Sequence, residues 1–148
     1  MRARGAGAIL NVASCAGLAC LPEMGSYNVA KAGVIALSET LRGELAPLGI
    51  NVTVLCPTFF ESNVMESFRS PEVRQRELAE AFFRAAKVTS DDVAEAALRG
   101  MERGEHLVIP QKGGAIMWRM KRFSPALFQR LITSKLRAVV EKSLLRKS

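Results

Sequence analysis

Two short apolar runs separated by a long helical stretch constrain this chain more than any other feature. Residues 7–13 (Gly-Ala-Ile-Leu-Asn-Val-Ala) and 50–56 (Ile-Asn-Val-Thr-Val-Leu-Cys) have strand length and are rich in aliphatic side chains. Strands buried on both faces of a parallel sheet read as such runs. Between them, residues 14–25 read as a loop in which Gly17 and Pro22 mark turns, and residues 26–46 have helical composition, with Ser26 as the expected N-cap and Pro47 and Gly49 closing the far end. The order strand, helix, strand is that of a parallel pair, and the C-terminal ends of such strands open onto the ligand crevice of an α/β sheet.

Three residues near that end can do chemistry together. Ser14 follows the first strand directly, and Tyr27 and Lys31 are four residues apart at the start of the helix. On a helix, positions i and i+4 share a face, so the phenol and the ammonium can share a site. A free phenol ionises near pH 10, too high for an efficient base at neutrality. A cation held beside it favours the phenolate, and the serine hydroxyl can polarise a substrate oxygen. These groups suit proton transfer coupled to hydride transfer at a carbonyl or alcohol. A Tyr-x-x-x-Lys pair alone is a weak signal, because it arises by chance in many helices. The serine spacing and the flanking strands raise it to a specific one.

The segment GAILNVASCAGLACLPEMGSYNVAKAGVIALSETLRGELAPLGINVTVLCP resembles the short-chain dehydrogenase/reductase family in its single-domain form. The match is close over residues 5–62 and looser to about residue 110. The resemblance implies an α/β fold, the C-terminal half of a doubly wound parallel (Rossmann-like) sheet, and NAD or NADP as cofactor. It implies Tyr27 as catalytic acid/base, Lys31 as the residue that tunes it and holds the nicotinamide ribose, and Ser14 as donor to the substrate oxygen. Pro57, Thr58 and Ser62 would line the nicotinamide carboxamide site, with Thr58 standing where the family usually has glycine. The substrate implied is a small alcohol or carbonyl compound. The helix at residues 26–46, whose Ala30, Ala32, Gly33 and Ala36 permit close backbone approach, would join a homo-oligomer.

Other classes fit poorly. Ser14 lies in Val-Ala-Ser-Cys-Ala, which lacks the Gly-x-Ser-x-Gly elbow, and His106 is the only histidine, so a serine hydrolase is not expected. Cys15, Cys20 and Cys56 have no metal-ligand spacing and form an odd set, which argues against zinc and against a disulfide framework. The cytoplasm is the expected compartment. Gly5-Ala6-Gly7 precedes a strand instead of following one, and is not a phosphate loop. The family's cofactor-selecting residue and its catalytic asparagine also lack counterparts, since Asn11 lies inside the strand. Met1 corresponds to a point well inside the family's domain, so the expectation is a piece carrying the chemistry without the dinucleotide cradle.

Further along, residues 59–87 carry Phe59, Phe60, Met65, Phe68, Phe82 and Phe83 among charged positions. In the family this is the substrate-covering region; packing of an amphipathic helix explains Phe82 and Phe83 equally well. Thr89 to Asp92 should cap a helix from Asp91 to about Glu102, Gly104 should stop it, and residues 106–109 read as a third strand. Gln111 to Gly114 reads as a joint, dividing a Rossmann-like part (1–110) from a basic amphipathic helical tail (111–148). The tail holds ten Lys/Arg and one acid, against 11 basic and 13 acidic residues before it, so it carries all of the chain's positive excess. Leu127, Phe128, Leu131, Ile132, Leu136, Val139, Val140 and Leu144 recur at helical steps. Such a helix either docks its apolar stripe on the body or a second subunit, which is preferred, or meets an anionic membrane surface. No nucleic-acid motif accompanies the charge. Besides the oxidoreductase, a truncated non-catalytic fragment or interaction protein and a peripheral membrane module remain as readings from other classes.

Overall fold

The computed structural model describes residues 1–67, 69 and 73–134. Three strands form one parallel sheet in the order β1 (Gly7–Val12), β2 (Ile50–Leu55), β3 (Leu107–Val108). The β1–β2 register runs from Gly7 opposite Ile50 to Val12 opposite Leu55, and β3 pairs its two residues with Val54 and Leu55. Among the described residues β1 is therefore an edge strand and β2 is central. Side chains alternate across a pleat, and each face of β2 feeds a different cluster. Val52 and Val54 pack with Ile35, Leu41 and Leu45 of helix α2 (Gly25–Leu45), while Leu55 packs with Val93 and Ala97 of helix α5 (Ser90–Glu102). Helices thus cover both faces of the sheet, the arrangement a parallel sheet requires. The expected α/β class, with the doubly wound parallel layout, is what the chain adopts.

Three local expectations give way. Residues 14–25, read as a loop, contain a short helix, α1 (Cys15–Ala19), capped by Ser14 and ended by Cys20 in the left-handed region at φ 54°. Ser26 is not an N-cap: α2 begins one residue earlier, its cap position is Met24, and no side chain caps it. The third strand is also shorter than expected. Elsewhere the local chemistry holds. Gly49, at φ 68°, turns the chain out of the 3-10 turn Ala46–Leu48 into β2. Thr89 and Asp92 form a reciprocal capping box at the start of α5. Hydrogen bonds from Thr89 hold the Asp92 carboxyl below the usual carboxylate range. That contribution to stability is present above the ordinary carboxylate pKa and is lost as pH falls through the lowered one.

Two shorter helices, α3 (Val64–Ser67) and α4 (Val73–Arg84), follow β2, and Phe59 stacks on Phe82 at 4.9 Å and meets Phe83 edge-on at 5.1 Å. Beyond β3 come α6 (Lys112–Phe123) and a helix over residues 125–134, α7. Gln111 to Gly114 is no free joint. Gln111 is hydrogen-bonded to the loop after β2, and a Cβ on Gly114 would stand 2.8 Å from both Cys15 Sγ and Thr58 Cγ2. Lys121 Nζ donates to the Leu18 carbonyl at 2.7 Å, tying α6 to α1. Phe128 of α7 is among the most deeply buried side chains. Of the expected stripe, Phe128 is buried while Leu127 and Leu131 are exposed; Phe68, Leu136, Val139, Val140 and Leu144 lie outside the described residues.

Truncating a buried phenylalanine costs about 3–5 kcal/mol. Phe128→Ala should accordingly lower unfolding stability in urea by an amount of that order. A change below about 0.5 kcal/mol would mean that α7 is not seated on the body.

Candidate active site

The parallel ladder continues past the ends of both strands. The Ala13 amide donates to Leu55 O at 2.8 Å and the Cys15 amide donates to Pro57 O at 2.9 Å, so the two loops leave the sheet side by side. Ser14 sits between those bonds. Its Oγ accepts from the Ala16 amide at 3.1 Å, which caps α1 and leaves the hydroxyl proton available to a second partner.

The opening of α2 supplies the other two groups. Lys31 Nζ donates to Val12 O, the last carbonyl of β1, at 3.2 Å, and stands 5.8 Å from the centroid of the Tyr27 ring. Tyr27 lies open to solvent at 44% exposure. Ser14, Tyr27 and Lys31 are thus brought to the C-terminal end of β1 from two separate elements. What holds those elements together is Gly17. A Cβ built there would lie 2.6 Å from the Lys31 carbonyl carbon and 2.7 Å from the Ala32 nitrogen, so α1 crosses α2 with backbone against backbone. Asn28 adds a second tie, its buried side-chain amide donating to Leu21 O at 2.7 Å.

The Pro57–Ser62 stretch forms the adjoining wall. Pro57 is buried beside Ser14 through the Cys15 bond. The Thr58 amide donates to Gln111 Oε1 at 2.9 Å, while Gln111 Nε2 lies 3.5 Å from Phe59 O. Ser62 follows Glu61, which is anchored at both backbone groups: its amide donates to Val88 O at 2.9 Å and its carbonyl accepts from Ser90 Oγ at 2.7 Å. No hydrogen bond among the described residues joins Ser62 to Ser14, Tyr27 or Lys31.

Beneath the site lie two thiols. Cys15 Sγ donates to Cys56 O at 3.0 Å, and burial pushes the Cys15 thiol up to about 11. Cys56 is pushed up to about 12, chiefly by burial and then by Cys15; the Ser14 amide and the Lys31 charge offset part of this. Both are therefore packing residues at neutral pH, unlike the exposed Cys20. No group of His, Cys, Asp and Glu able to hold a metal ion occurs among the described residues. Sequence reasoning missed Gly17, Gln111 and Gly114. Gly17 was legible only as a turn marker, and nothing in the sequence signals which loop Gln111 meets.

Two measurements check this geometry. Gly17→Ala should cost about 1–3 kcal/mol of stability, the usual range for overpacking, and loosen the Lys31–Val12 contact; an unchanged urea midpoint would refute the close crossing. In native protein at neutral pH, iodoacetamide should modify Cys20 readily and Cys15 and Cys56 only after denaturation, as read by mass spectrometry. Because both buried thiols have raised folded-state values, their linked stability is full below their unfolded value near 9 and falls as pH rises towards 11–12.

Residues 1–73 match the short chain dehydrogenase family model. The chain is 35% identical over 103 residues to the protein named inactive 2-(S)-hydroxypropyl-CoM dehydrogenase 2 of Xanthobacter autotrophicus, covering 66% of this chain and 44% of that protein. It is 35% identical over 69 residues to a 3-oxoacyl-[acyl-carrier-protein] reductase of Synechocystis sp., covering 47% of this chain and 28% of that one. The chain thus spans less than half the length of these curated relatives. Among solved structures, a short-chain dehydrogenase/reductase from Burkholderia phymatum in complex with NAD superposes with a TM-score of 0.75 at 24% identity, over 86% of this chain and 51% of that one. A short-chain dehydrogenase from Sphingobium yanoikuyae in complex with NADPH gives 0.63 at 28% identity, over 88% of this chain and 46% of that one. The family-model match, these relatives and these solved structures support the chain as a member of the short-chain dehydrogenase/reductase family.

Proposed function

We propose that this chain serves a reversible oxidoreductase reaction between an alcohol and a carbonyl, with NAD or NADP as cofactor and Tyr27 as the acid/base. The observation that carries the reading is the pair of contacts made by Lys31, to Val12 O at 3.2 Å and to the Tyr27 ring at 5.8 Å. They hold a cation beside the phenol, at the strand end where the serine also lies. A bound nicotinamide would supply or accept the hydride. Tyr27 gives a proton to the carbonyl oxygen in reduction and takes one from the alcohol in oxidation. Ser14 donates a hydrogen bond to that same oxygen, and the Lys31 ammonium stands beside the Tyr27 ring.

The residues present fit the nicotinamide end of such a cofactor. Lys31 and Tyr27 would meet the ribose, while Pro57, Ser62 and the Thr58 side chain would line the carboxamide. The Thr58 amide is engaged by Gln111, so its hydroxyl is the group it can offer. The cofactors in the Burkholderia and Sphingobium structures support this choice without separating NAD from NADP. These 148 residues hold no glycine-rich turn between a strand and a helix to hold a pyrophosphate.

The outward face of α2 supports a homo-oligomer. Val29 is 74% and Leu37 54% exposed, and a Cβ on Gly33 between them would meet nothing within 4 Å. Three free thiols support a reducing compartment such as the cytoplasm. No described helix is long and apolar enough to cross a membrane.

In a chimera joining residues 1–148 to the N-terminal part of the Synechocystis reductase, Tyr27→Phe should reduce kcat with a ketone panel by about 10²–10⁴, the usual worth of a positioned acid/base. Near-normal turnover would remove Tyr27 from the role and leave a non-catalytic one. Calorimetric titration of residues 1–148 alone should show binding of NADH and NADPH weaker than micromolar. Micromolar affinity for either would mean the pyrophosphate is held by groups not recognised above.

A further inference from the structure

Helix α6 has two unlike faces. Gly114, Ala115, Met117, Trp118, Met120 and Lys121 turn towards the body, and Lys112, Ile116, Arg119, Arg122 and Phe123 turn outward. The outward apolar residues are well exposed: Ile116 at 61% and Phe123 at 93%. The pattern does not stop at the end of α6. Past Ser124, whose extended backbone ends α6, Leu127 and Leu131 of α7 are exposed as well, with Arg130 beside them, while Phe128 of α7 is buried. A helix that had only to pack on its own domain would place polar residues at 116, 123, 127 and 131.

Charge says what this stripe fits. Between Glu105 and Glu141 there is no acidic residue at all, and residues 111–148 carry a net charge of +9. Two copies of such a face would set like charges against each other, which disfavours self-association. A nucleic acid would satisfy the charge but leave the aliphatic side chains unburied, since Ile116, Leu127 and Leu131 have no ring on which a base could stack. An anionic lipid surface satisfies both: apolar side chains enter the acyl boundary while arginines stay among headgroups. Trp118 carries the Arg122 guanidinium 5.7 Å from its ring, which holds that charge near the outward edge.

We propose that the stripe Ile116–Arg119–Phe123–Leu127–Leu131, with its neighbouring basic residues, seats this chain peripherally on an anionic phospholipid bilayer. Ser14, Tyr27 and Lys31 lie on elements other than the stripe, so this docking does not rest on the oxidoreductase reading. The fold leaves α6 anchored through Lys121 to Leu18, so the membrane would be met by a helix already fixed to the catalytic body.

Vesicle co-sedimentation of residues 1–148 tests this. Binding should appear with phosphatidylcholine vesicles containing phosphatidylserine, be absent with phosphatidylcholine alone, and fade with added salt. A basic residue at an anionic surface is worth about 1 kcal/mol, roughly fivefold, so Arg119→Ala with Arg122→Ala should weaken partitioning on the order of 30-fold. Replacing both with lysine should largely preserve it. Phe123→Ser should weaken it about tenfold or more. All three positions are exposed, and unchanged circular dichroism and Tm would confirm that folding is intact. Absence of vesicle binding, or equal binding to neutral and anionic vesicles, overturns the proposal. So does binding that ignores Phe123→Ser and is displaced by duplex DNA, and so does a Phe123→Ser variant that changes oligomeric state without changing vesicle binding.

Discussion

The hydrogen-bond ladder between β1 and β2 is the constraint on which the rest of the structure depends. Its register sets Val12 beside Leu55, and its two further rungs, Ala13 to Leu55 and Cys15 to Pro57, carry the pairing beyond the strands. Loops that would otherwise diverge are therefore parallel where the chemistry is. Ser14 on one loop and Pro57 on the other are held together by backbone bonds, which a side-chain substitution leaves in place. Burial reinforces them, because Val52, Val54, Thr53 and Cys56 are almost entirely withdrawn from solvent. Burying apolar surface stabilises at about 25 cal/mol per Å², and an unpaired amide there would cost about 1–3 kcal/mol. Ladder and core thus support each other.

A second layer of positioning comes from segments far away in sequence. Gln111 holds the Thr58 amide, Gly114 admits Cys15 Sγ and Thr58 Cγ2, and Lys121 caps a carbonyl of α1. The part of the chain that composition sets apart as a basic tail therefore begins as a wall of the site. Among its described residues Lys112, Arg119, Arg122 and Arg130 are exposed, where water screens them, while Gly114 is buried, where it permits contact. Gly17 plays the matching role on the other side. The absence of a side chain there lets α1 lie against the Lys31 turn of α2.

Much of this was legible beforehand, for physical reasons that differ from element to element. Strands β1 and β2 announced themselves because a strand buried on both faces must be apolar along its whole length. The Thr89–Asp92 cap and the Gly49 turn were readable because capping and left-handed backbone are local chemistry, decided within four residues. Lys31 Nζ stands 5.8 Å from the Tyr27 ring centroid, and helical spacing, which brings them to one face, is a local rule as well. Helix α1 was not readable. Its five residues, Cys15 to Ala19, are too few to be stable alone, and they are helical because Ser14 caps them and Gly17 lets them pack. Ser26 failed as a cap because α2 starts earlier, at Gly25, with Met24 in the cap position.

The sequence by itself determined the class of fold, the two principal strands, the helix between them and the spacing that sets Tyr27 and Lys31 on one helix face. Each is encoded in periodicity or in spacing along one element. Tertiary structure alone decided which loops stand side by side, that Gln111 occupies the Thr58 amide, and that the buried Cys15 and Cys56 are packing groups. It also decided which face of α6 turns inward. The physical reason is common to all four: each depends on the meeting of segments about 40 to 100 residues apart. Such meetings are selected by burial and backbone pairing over the whole core, and no local pattern of residues records them.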